Sequence, residues 1–225
     1  RFKMCKECGC GEEVEVQVER PILDANEQAA QHNRKHLDEH GVYAVELLGS
    51  PGAGKTTLLE ALIDRLKVPM AVIEGDIETQ RDAERIRAKG VPAFQLTTGG
   101  ACHLDARLVH GALHHIDLEK TKLLFIENVG NLVCPASFRL GAHERWVLLS
   151  TPEGDDKPAK YPKAFREASV LVITKMDLAK VMEFDPERVK QEALSLNPHL
   201  KIFLTSAKTG EGIEELAEYL RGKIS

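Results

Sequence analysis

The fold is decided by one stretch of the sequence, Gly49-Ser50-Pro51-Gly52-Ala53-Gly54-Lys55-Thr56-Thr57. It fits the pattern G-x-x-x-x-G-K-S/T, in which glycines let backbone N–H groups converge on phosphate oxygens. The apolar run 42–48 before it predicts a buried strand, and the run 57–66 after it has helical spacing. A strand, this loop and a helix in that order predict a phosphate-binding loop at a helix N-terminus.

The predicted roles within this loop follow from the chemistry of each residue type. The Lys55 ammonium is expected to reach the β- and γ-phosphates and to act in catalysis, and the Thr56 hydroxyl is a ligand for Mg²⁺. The residues of the loop predicted to bind nucleotide are Gly49, Gly52, Ala53, Gly54, Lys55, Thr56 and Thr57.

Further apolar runs of strand length alternate with helical patterns along the rest of the chain. These runs lie at 70–74, 93–96, 122–127, 146–150, 170–173 and 201–204. Alternating strands and helices are typical of α/β folds with a parallel sheet. We therefore predict a P-loop NTPase fold, with a mainly parallel sheet of about seven strands and helices on both faces.

Composition limits the functional classes. With 225 residues, 43% hydrophobic and 29% charged, the chain is long enough for a substantial core and typical of a globular protein. Its net charge of -5 argues against general nucleic-acid binding. No apolar run approaches the ~20 residues of a membrane span and no secretion signal opens the chain, so we expect no membrane partner and a cytoplasmic location. Met4 is a candidate for the natural start.

Five cysteines, an odd number, favour metal or redox chemistry over a disulfide framework. Three of them lie within residues 5–11 and offer soft thiolates that suit Zn²⁺, Ni²⁺ or Cu(I): Cys5, Cys8 and Cys10. We predict a flexible metal-capturing tail over residues 1–23 and a nucleotide-binding domain with a preceding helix over 24–225. A disordered tail with incidental thiols is the alternative.

Two polar segments allow more than one interpretation. The stretch 25–39 predicts a solvated helix that ends at Gly41. Its face carries histidines at a spacing that suits either a metal site or an ordinary exposed helix: His32, His36 and His40. The segment 152–162 is too charged and proline-rich for a core element, and we expect either a nucleotide contact or a solvated connection there.

Acidic residues stand at the ends of two predicted strands. Asp76 follows the strand at 70–74, and Glu127 ends a Walker-B-like strand at 122–127. Because the carboxyl ends of parallel strands share one sheet edge, we predict that both carboxylates bind Mg²⁺ or the attacking water and act in catalysis. For Asp76, an ordinary turn or helix-capping role is the alternative.

A second set of metal-ligating residue types belongs to the same predicted edge. Cys102 and His103 follow a glycine pair and precede a helix, and Cys134 lies a few residues beyond Glu127. Two thiolates and one imidazole are one ligand short of a tetrahedral site, which water or a second subunit would complete. We expect the helix N-terminus to lower the pKa of Cys102. Two small hydrophobes and a surface histidine are the alternative.

The last motifs point to guanine. Thr174-Lys175-Met176-Asp177 matches N-K-x-D except at Thr174, and an aspartate carboxylate accepts from guanine N1 and its exocyclic amine. At Thr174 we expect the amide brace of the phosphate loop to be lost. A following S-A-K stretch supplies the other half of a guanine site. The residues predicted to bind the base are Lys175, Asp177, Ser206, Ala207 and Lys208.

The chain resembles the HypB family, because it carries that family's motifs in the same order along the sequence. The motifs are the phosphate loop, E-G-D-I-E-T, G-A-C-H-L-D-A, I-E-N-V-G-N-L-V-C-P, T-K-M-D and T-S-A-K-T-G. The resemblance implies a GTPase of the SIMIBI class that binds nickel and assists its insertion into [NiFe]-hydrogenase. It also implies a GTP-dependent homodimer, with nickel or zinc at Cys102, His103 and Cys134 in the dimer interface. The implied partners are a HypA-type metallochaperone and the hydrogenase large-subunit precursor.

Other functions compete with this interpretation. An accessory GTPase for urease or for a cobalamin-dependent mutase is the alternative within the same class. A small-molecule kinase would leave the guanine motifs unexplained, and a metal-storage protein would leave the nucleotide site without a purpose. We expect slow GTP hydrolysis, because no arginine finger or glutamine stands in the motifs.

Overall fold

The structure, a computed structural model, describes residues 13–76 and 81–224. The described strands are β1 Tyr43–Gly49, β2 Met70–Asp76, β3 Ala93–Thr97, β4 Leu123–Glu127, β5 Glu144–Ser150, β6 Val170–Thr174 and β7 Lys201–Leu204. They form one sheet in the order β3-β2-β4-β1-β5-β6-β7, and every neighbouring pair is parallel. The predicted α/β fold with a parallel sheet of about seven strands is confirmed.

Helices cover both faces of the sheet. They are α1 Glu13–Glu39, α2 Lys55–Leu66, α3 Arg81–Ala88, α4 Ala106–Leu113, α5 Lys157–Lys160, α6 Pro162–Glu167, α7 Pro186–Leu196 and α8 Ile213–Ile224. Buried side chains of α2, α3 and α8 pack on one face, whereas those of α1, α4, α6 and α7 pack on the other. The sheet is therefore buried on both faces, as parallel sheets require.

Alternation along the strands explains why continuous apolar runs form this sheet. In β1, Val45 and Leu47 contact the α2 side, whereas Ala44 and Leu48 contact the opposite side. Successive side chains of a strand point to opposite faces, so a strand buried on both faces needs apolar residues at nearly every position.

The first helix is longer than predicted, because it begins at Glu13 rather than near residue 25. Its buried side chains recur at helical spacing and face the domain: Asn26, Ala30, Asn33 and Leu37. Gly41 ends the helix as predicted, with a positive φ of 64°. Residues 13–23 of the predicted tail are thus helical, whereas Cys5, Cys8 and Cys10 lie outside the described residues.

The segment 152–162, predicted to be a connection or a nucleotide contact rather than a core element, contains one short helix and the start of another. The short helix α5 begins at Lys157 with Pro158 in its first turn, and α6 begins directly at Pro162. Proline is tolerated in the first turn of a helix, where its missing N–H would have no intrahelical partner. The prolines that suggested a loop therefore mark helix starts.

The carboxyl ends of the strands meet at one edge of the sheet. Gly49, Asp76, Glu127 and Thr174 are the last residues of their strands there. In open parallel sheets, ligands bind outside this edge. Among residues 13–76 and 81–224, no helix is long and apolar enough to cross a membrane.

Candidate functional site

The phosphate loop connects β1 to α2 and has the backbone that its glycines permit. Gly52 and Gly54 adopt positive φ angles of 79° and 88°, which side chains with a Cβ rarely adopt. The Lys55 Nζ donates to the backbone oxygens of Gly49, at 3.3 Å, and Ser50, at 3.4 Å. The lysine that is predicted to contact phosphates thus lies folded over the loop.

Thr56 and Glu127 meet beside this lysine. The Thr56 hydroxyl donates to both carboxylate oxygens of Glu127, at 3.2 and 3.1 Å, and the Lys55 Nζ lies 4.0 Å from Glu127 Oε1. All three residues are buried. The structure therefore brings the Walker-B-like acid to the hydroxyl that was predicted to share a Mg²⁺ ion with it.

An open cleft of about 480 Å³ lies over this group. Asp76, at the end of β2, lines the cleft together with Glu127, Thr56 and Lys55. The donor set consists of hard oxygens, two carboxylates and a hydroxyl, which is the chemistry that Mg²⁺ prefers. The residues present thus fit a magnesium ion at this position.

Glu74 is a further acid in the cleft, and the sequence analysis missed it. It lies two residues before Asp76 and its side chain is hydrogen-bonded to Glu127. Burial, and then the nearby Glu127 carboxylate, raise the pKa of Glu74 to about 10. One of its oxygens, Oε1, is buried without a hydrogen-bond partner. At neutral pH Glu74 therefore holds a proton beside the phosphate cleft.

Arg85 of α3 is a second residue that the motifs did not reveal. Its guanidinium donates to Glu60 Oε1 at 3.2 Å, to Asp82 Oδ1 at 3.1 Å and to Thr57 Oγ1 at 3.1 Å. The side chain lines the same cleft as Lys55. A helical arginine outside any motif gives no local signal, and only the packing of α3 beside α2 places it there.

The start of the guanine motif braces the phosphate loop. The Thr174 hydroxyl donates to the Ala53 backbone oxygen at 2.7 Å, and the Lys175 Nζ donates to the Gly52 oxygen at 2.7 Å. Thr174 lacks the amide donor of the N-K-x-D pattern, but its hydroxyl supplies the brace instead. A hydroxyl reaches the carbonyl because β6 places Thr174 directly against the loop.

The rest of the predicted base site lies in a smaller cleft of about 270 Å³. Asp177 accepts a hydrogen bond of 2.7 Å from the Ser206 hydroxyl, and the Lys208 Nζ lies 4.0 Å from its other oxygen. Ala207 also lines this cleft. The two halves of the motif, which are distant in sequence, are therefore joined by a direct contact.

Cys102, His103 and Cys134 converge at the neighbouring loops. Their ligand atoms all lie within 4.8 Å of one another, and each residue is half-buried. Cys102 Sγ lies 3.9 Å from His103 Nδ1, and the His103 ring stacks on Phe138 with 3.9 Å between centroids. Two thiols and an imidazole fit a borderline cation such as Ni²⁺ or Zn²⁺.

The expectation of a lowered thiol pKa at Cys102 is wrong. A hydrogen bond with Cys134, followed by burial, raises the pKa of Cys102. Helix α4 begins only at Ala106, and its N-cap Asp105 already accepts from the first N–H groups. The helix terminus is therefore occupied by a carboxylate, and the neighbouring thiol decides the proton affinity.

The metal-ligating loop touches the phosphate cleft through Leu104, which directly follows His103. The Leu104 N–H donates to Asn128 Oδ1 at 3.0 Å, and Asn128 directly follows Glu127. A Cβ placed on Gly75 would meet the Leu104 side chain at 2.7 Å. The loop with Cys102 and His103 is thus packed, through Leu104, against the ends of both strands that carry acids into the cleft.

Comparisons with known proteins show which family the chain resembles. A family model described as CobW/HypB/UreG, nucleotide-binding domain, matches residues 43–204. The hydrogenase/urease maturation factor HypB of Helicobacter hepaticus is 45% identical over 212 residues, covering 92% of this chain and 88% of that protein. The hydrogenase maturation factor HypB of Escherichia coli is 46% identical over 207 residues, covering 91% of this chain and 71% of that protein.

A solved structure is similar in fold as well as in sequence. The crystal structure of HypB from Helicobacter pylori in complex with nickel superposes with a TM-score of 0.86 and is 44% identical. The match covers 88% of this chain and 94% of that one. Because the family model matches more than half of the chain and these relatives match along most of their length, the chain belongs to the HypB family.

Proposed function

We propose that the chain binds and hydrolyses GTP and uses the nucleotide cycle to bind nickel and assist its insertion into [NiFe]-hydrogenase. The observation that carries this proposal is the direct packing of the Cys102–His103 loop against the phosphate cleft through Leu104. The relatives support it, since the Escherichia coli protein is a hydrogenase maturation factor and the Helicobacter pylori protein was crystallised in complex with nickel.

Guanine recognition is proposed for the smaller cleft. The Asp177 carboxylate would accept from guanine N1 and the exocyclic amine, a donor pair that adenine does not present. Its hydrogen bond from Ser206 holds it in place. The Lys175 stem lines the apolar wall on which the base would pack, and Ala207 and Lys208, in the turn after β7, line the same cleft.

In the phosphate cleft, Lys55 and the loop N–H groups would hold the β- and γ-phosphates. Thr56, Asp76 and Glu127 would hold Mg²⁺, which supplies charge neutralisation to the transferred phosphate when bound. Asp76 also stands where it would orient the attacking water. We propose slow turnover, because Arg85 is already paired with Glu60 and Asp82 rather than free to stabilise the transition state.

The nickel ion is the cargo of the proposed cycle and would be held by Cys102, His103 and Cys134, with zinc as a competitor. Three ligands leave one tetrahedral position open, which a second copy of the chain would fill in a GTP-dependent homodimer.

The proposed partners follow from the cargo. Nickel would arrive from a HypA-type metallochaperone and leave toward the hydrogenase large-subunit precursor. Service to urease is a second candidate, because the Helicobacter hepaticus relative is named a hydrogenase/urease maturation factor. Comparing hydrogenase and urease activities in cells that lack the chain would separate these two clients.

The nucleotide proposal is tested by comparing hydrolysis of isotope-labelled GTP and ATP. We expect GTP to be preferred, and Lys55→Ala to abolish turnover while Lys180→Ala, at an exposed lysine, leaves it intact. Equal use of ATP would overturn the guanine assignment. Light scattering with a non-hydrolysable GTP analogue, with GDP and with Ni²⁺ tests the proposed dimer. A molar mass that does not change with the bound nucleotide would refute GTP-dependent dimerisation.

The metal proposal is tested by nickel titration with and without the GTP analogue. We expect the nickel affinity of the Cys102, His103 and Cys134 site to depend on the bound nucleotide and to be lost in Cys102→Ala. A nickel affinity that is indifferent to nucleotide would favour a storage protein.

A further inference from the structure

A group of five imidazoles lies between α1 and α4, apart from the cysteine site. We call it the imidazole cluster, and its members are His32, His36, His40, His110 and His114. Ring centroids are 4.7 Å apart for His110 and His114, 4.7 Å for His36 and His40, and 4.8 Å for His32 and His110. The cluster therefore joins the histidine face of α1 to a second pair that starts on α4.

Helix packing creates the cluster. The members on each helix are spaced four residues apart, which puts them on one face. The two helices are held together by buried Leu37 of α1 with Val109 and Leu113 of α4. The histidines stand at the rim of this contact: His32 and His114 are exposed, and His36, His40 and His110 are half-buried.

The tautomer of His110 is set by a buried amide. Asn33 Nδ2 donates to the backbone oxygens of Ala106, at 2.7 Å, and Leu140, at 3.0 Å, so its Oδ1 is the group that faces His110 Nδ1, at 3.0 Å. An amide oxygen accepts only, and Nδ1 must therefore carry the proton. The lone pair of His110 is left on Nε2, the arrangement found behind metal-ligating histidines.

That nitrogen faces another histidine at ligand spacing. His110 Nε2 and His114 Nε2 are 3.1 Å apart. Two nitrogens bound to one ion at ~2.0–2.1 Å are separated by about 2.9 Å in octahedral and about 3.4 Å in tetrahedral geometry. The pair is thus already spaced to chelate a single cation.

Further ligands are near the pair. The His36 ring centroid lies 6.2 Å from that of His114 and 6.4 Å from that of His110, so His36 must change its side-chain rotamer to share an ion with the pair. His40 donates from Nδ1 to the His36 backbone oxygen at 2.9 Å, which leaves its Nε2 as a ligand 3.5 Å from a Glu119 carboxylate oxygen. His36, His40, His114 and Glu119 line one open cleft.

The charges of the cluster favour the form that binds metals. Burial, then His40 and His114, lower the pKa of His36, and burial, then His114, lowers the pKa of His110. Neighbouring imidazoles repel one another when protonated. The lowered pKa therefore favours the neutral form of His36 and His110, and neutral imidazole is a ligand for Ni²⁺, Zn²⁺ and Cu²⁺.

We propose that the imidazole cluster is a second metal site, in which His110, His114 and His36 bind a divalent transition cation such as Ni²⁺. It differs from the Cys102, His103 and Cys134 site in its all-nitrogen chemistry and in its position on the helical layer. The proposal does not depend on nucleotide or on the cysteine site, and its test is arranged accordingly.

The test uses the full chain with all five cysteines replaced by serine, titrated with Ni²⁺ by calorimetry without nucleotide. We expect one Ni²⁺ per chain, and a roughly tenfold or greater loss of affinity in the His110→Ala, His114→Ala double variant. The matched control is His115→Ala, an exposed neighbour of His114. No nickel uptake in the cysteine-free chain, or an equal loss in His115→Ala, would overturn the proposal.

A second measurement guards against loss of folding in the double variant. His114→Gln changes only an exposed side chain, and its thermal midpoint should equal that of the parent while its nickel affinity falls. Paramagnetic Ni²⁺ should broaden the imidazole proton signals of His36, His110 and His114 and spare those of His143 and His199. Broadening that spares the cluster would assign the bound nickel elsewhere and refute the site.

Discussion

Asn128 accepts a hydrogen bond of 3.0 Å from the backbone N–H of Leu104, and each residue directly follows a candidate site residue in the chain. Asn128 follows Glu127 of the phosphate cleft, and Leu104 follows His103 of the Cys102–His103 loop. The Asn128 amide nitrogen in turn donates to buried Glu46 at 2.9 Å, which fixes the orientation of its oxygen. A movement of the phosphate cleft or of the Cys102–His103 loop would therefore be transmitted to the other through the Asn128 side chain.

Asn128→Ala should uncouple the two sites. The change removes the acceptor for the Leu104 N–H, and we expect nickel affinity to lose most of its dependence on nucleotide. Nickel titration with and without a non-hydrolysable GTP analogue measures this. Loss of the buried hydrogen bonds should also lower the free energy of unfolding by about 1–3 kcal/mol.

The control for this change is Asn197→Ala, which removes a similar amide that donates to the Ala168 oxygen at 2.8 Å, far from both sites. It should lower stability but keep the nucleotide dependence. If Asn128→Ala responded to nucleotide as the parent chain does, the contact would have no part in coupling.

Gly75→Ala should strain the contact between β2 and the Cys102–His103 loop. The added Cβ would lie 2.7 Å from the Leu104 side chain, so one of the two segments must shift. We expect a loss of about 1–3 kcal/mol in the free energy of unfolding, measured by denaturant titration, together with weaker nickel binding.

Gly111→Ala is the matched control, because it lies inside α4 and an added Cβ would meet nothing within 4 Å. Alanine should leave stability unchanged or raise it by about 0.5–1 kcal/mol. Equal effects of the two substitutions would show that Gly75 is not confined by Leu104.

Glu74→Gln should stabilise the nucleotide-free protein at alkaline pH. The folded-state pKa of Glu74, about 10, lies above its ordinary value of 4.5, so the folded state binds a proton that the unfolded state has released. Its contribution to stability is complete below the unfolded pKa and is lost as pH rises toward 10, by up to about 1.4 kcal/mol per pH unit.

Because Gln carries no titrating proton, the stability difference between Glu74→Gln and the parent should be small at pH 5 and grow toward pH 9. Thermal unfolding across this pH range measures it. A difference that stays constant with pH would mean that Glu74 titrates near its ordinary pKa.

Thr174→Val should loosen the phosphate loop. The change keeps the side-chain shape but removes the hydroxyl that donates to the Ala53 oxygen at 2.7 Å and leaves that carbonyl without this partner. We expect nucleotide affinity to fall about fivefold or more, as measured by titration with a fluorescent GDP analogue.

Thr121→Val is the comparison, because its hydroxyl makes the same kind of bond, 2.8 Å to the Asp117 oxygen, remote from the cleft. It should cost similar stability but leave nucleotide affinity unchanged. Unchanged affinity in Thr174→Val would show that the brace is dispensable.

Local sequence was sufficient for the order of the strands in the chain and for the phosphate loop. Apolar runs of strand length and glycines at set positions act over a few residues, so their pattern is readable without knowledge of contacts. The same reasoning placed Asp76, Glu127, Cys102 and Cys134 at one sheet edge, because strand direction in an alternating α/β chain leaves little choice.

Only the tertiary structure decided the properties that arise between distant segments. Glu74 gains its proton because burial sets it beside Glu127, and Thr174 braces Ala53 across 121 residues of chain. The imidazole cluster exists because α4 packs on α1. This packing places histidines that are some seventy residues apart in the sequence within a few ångströms of one another. Such contacts depend on how the helices pack on the sheet and on one another, and short-range sequence patterns do not specify that packing.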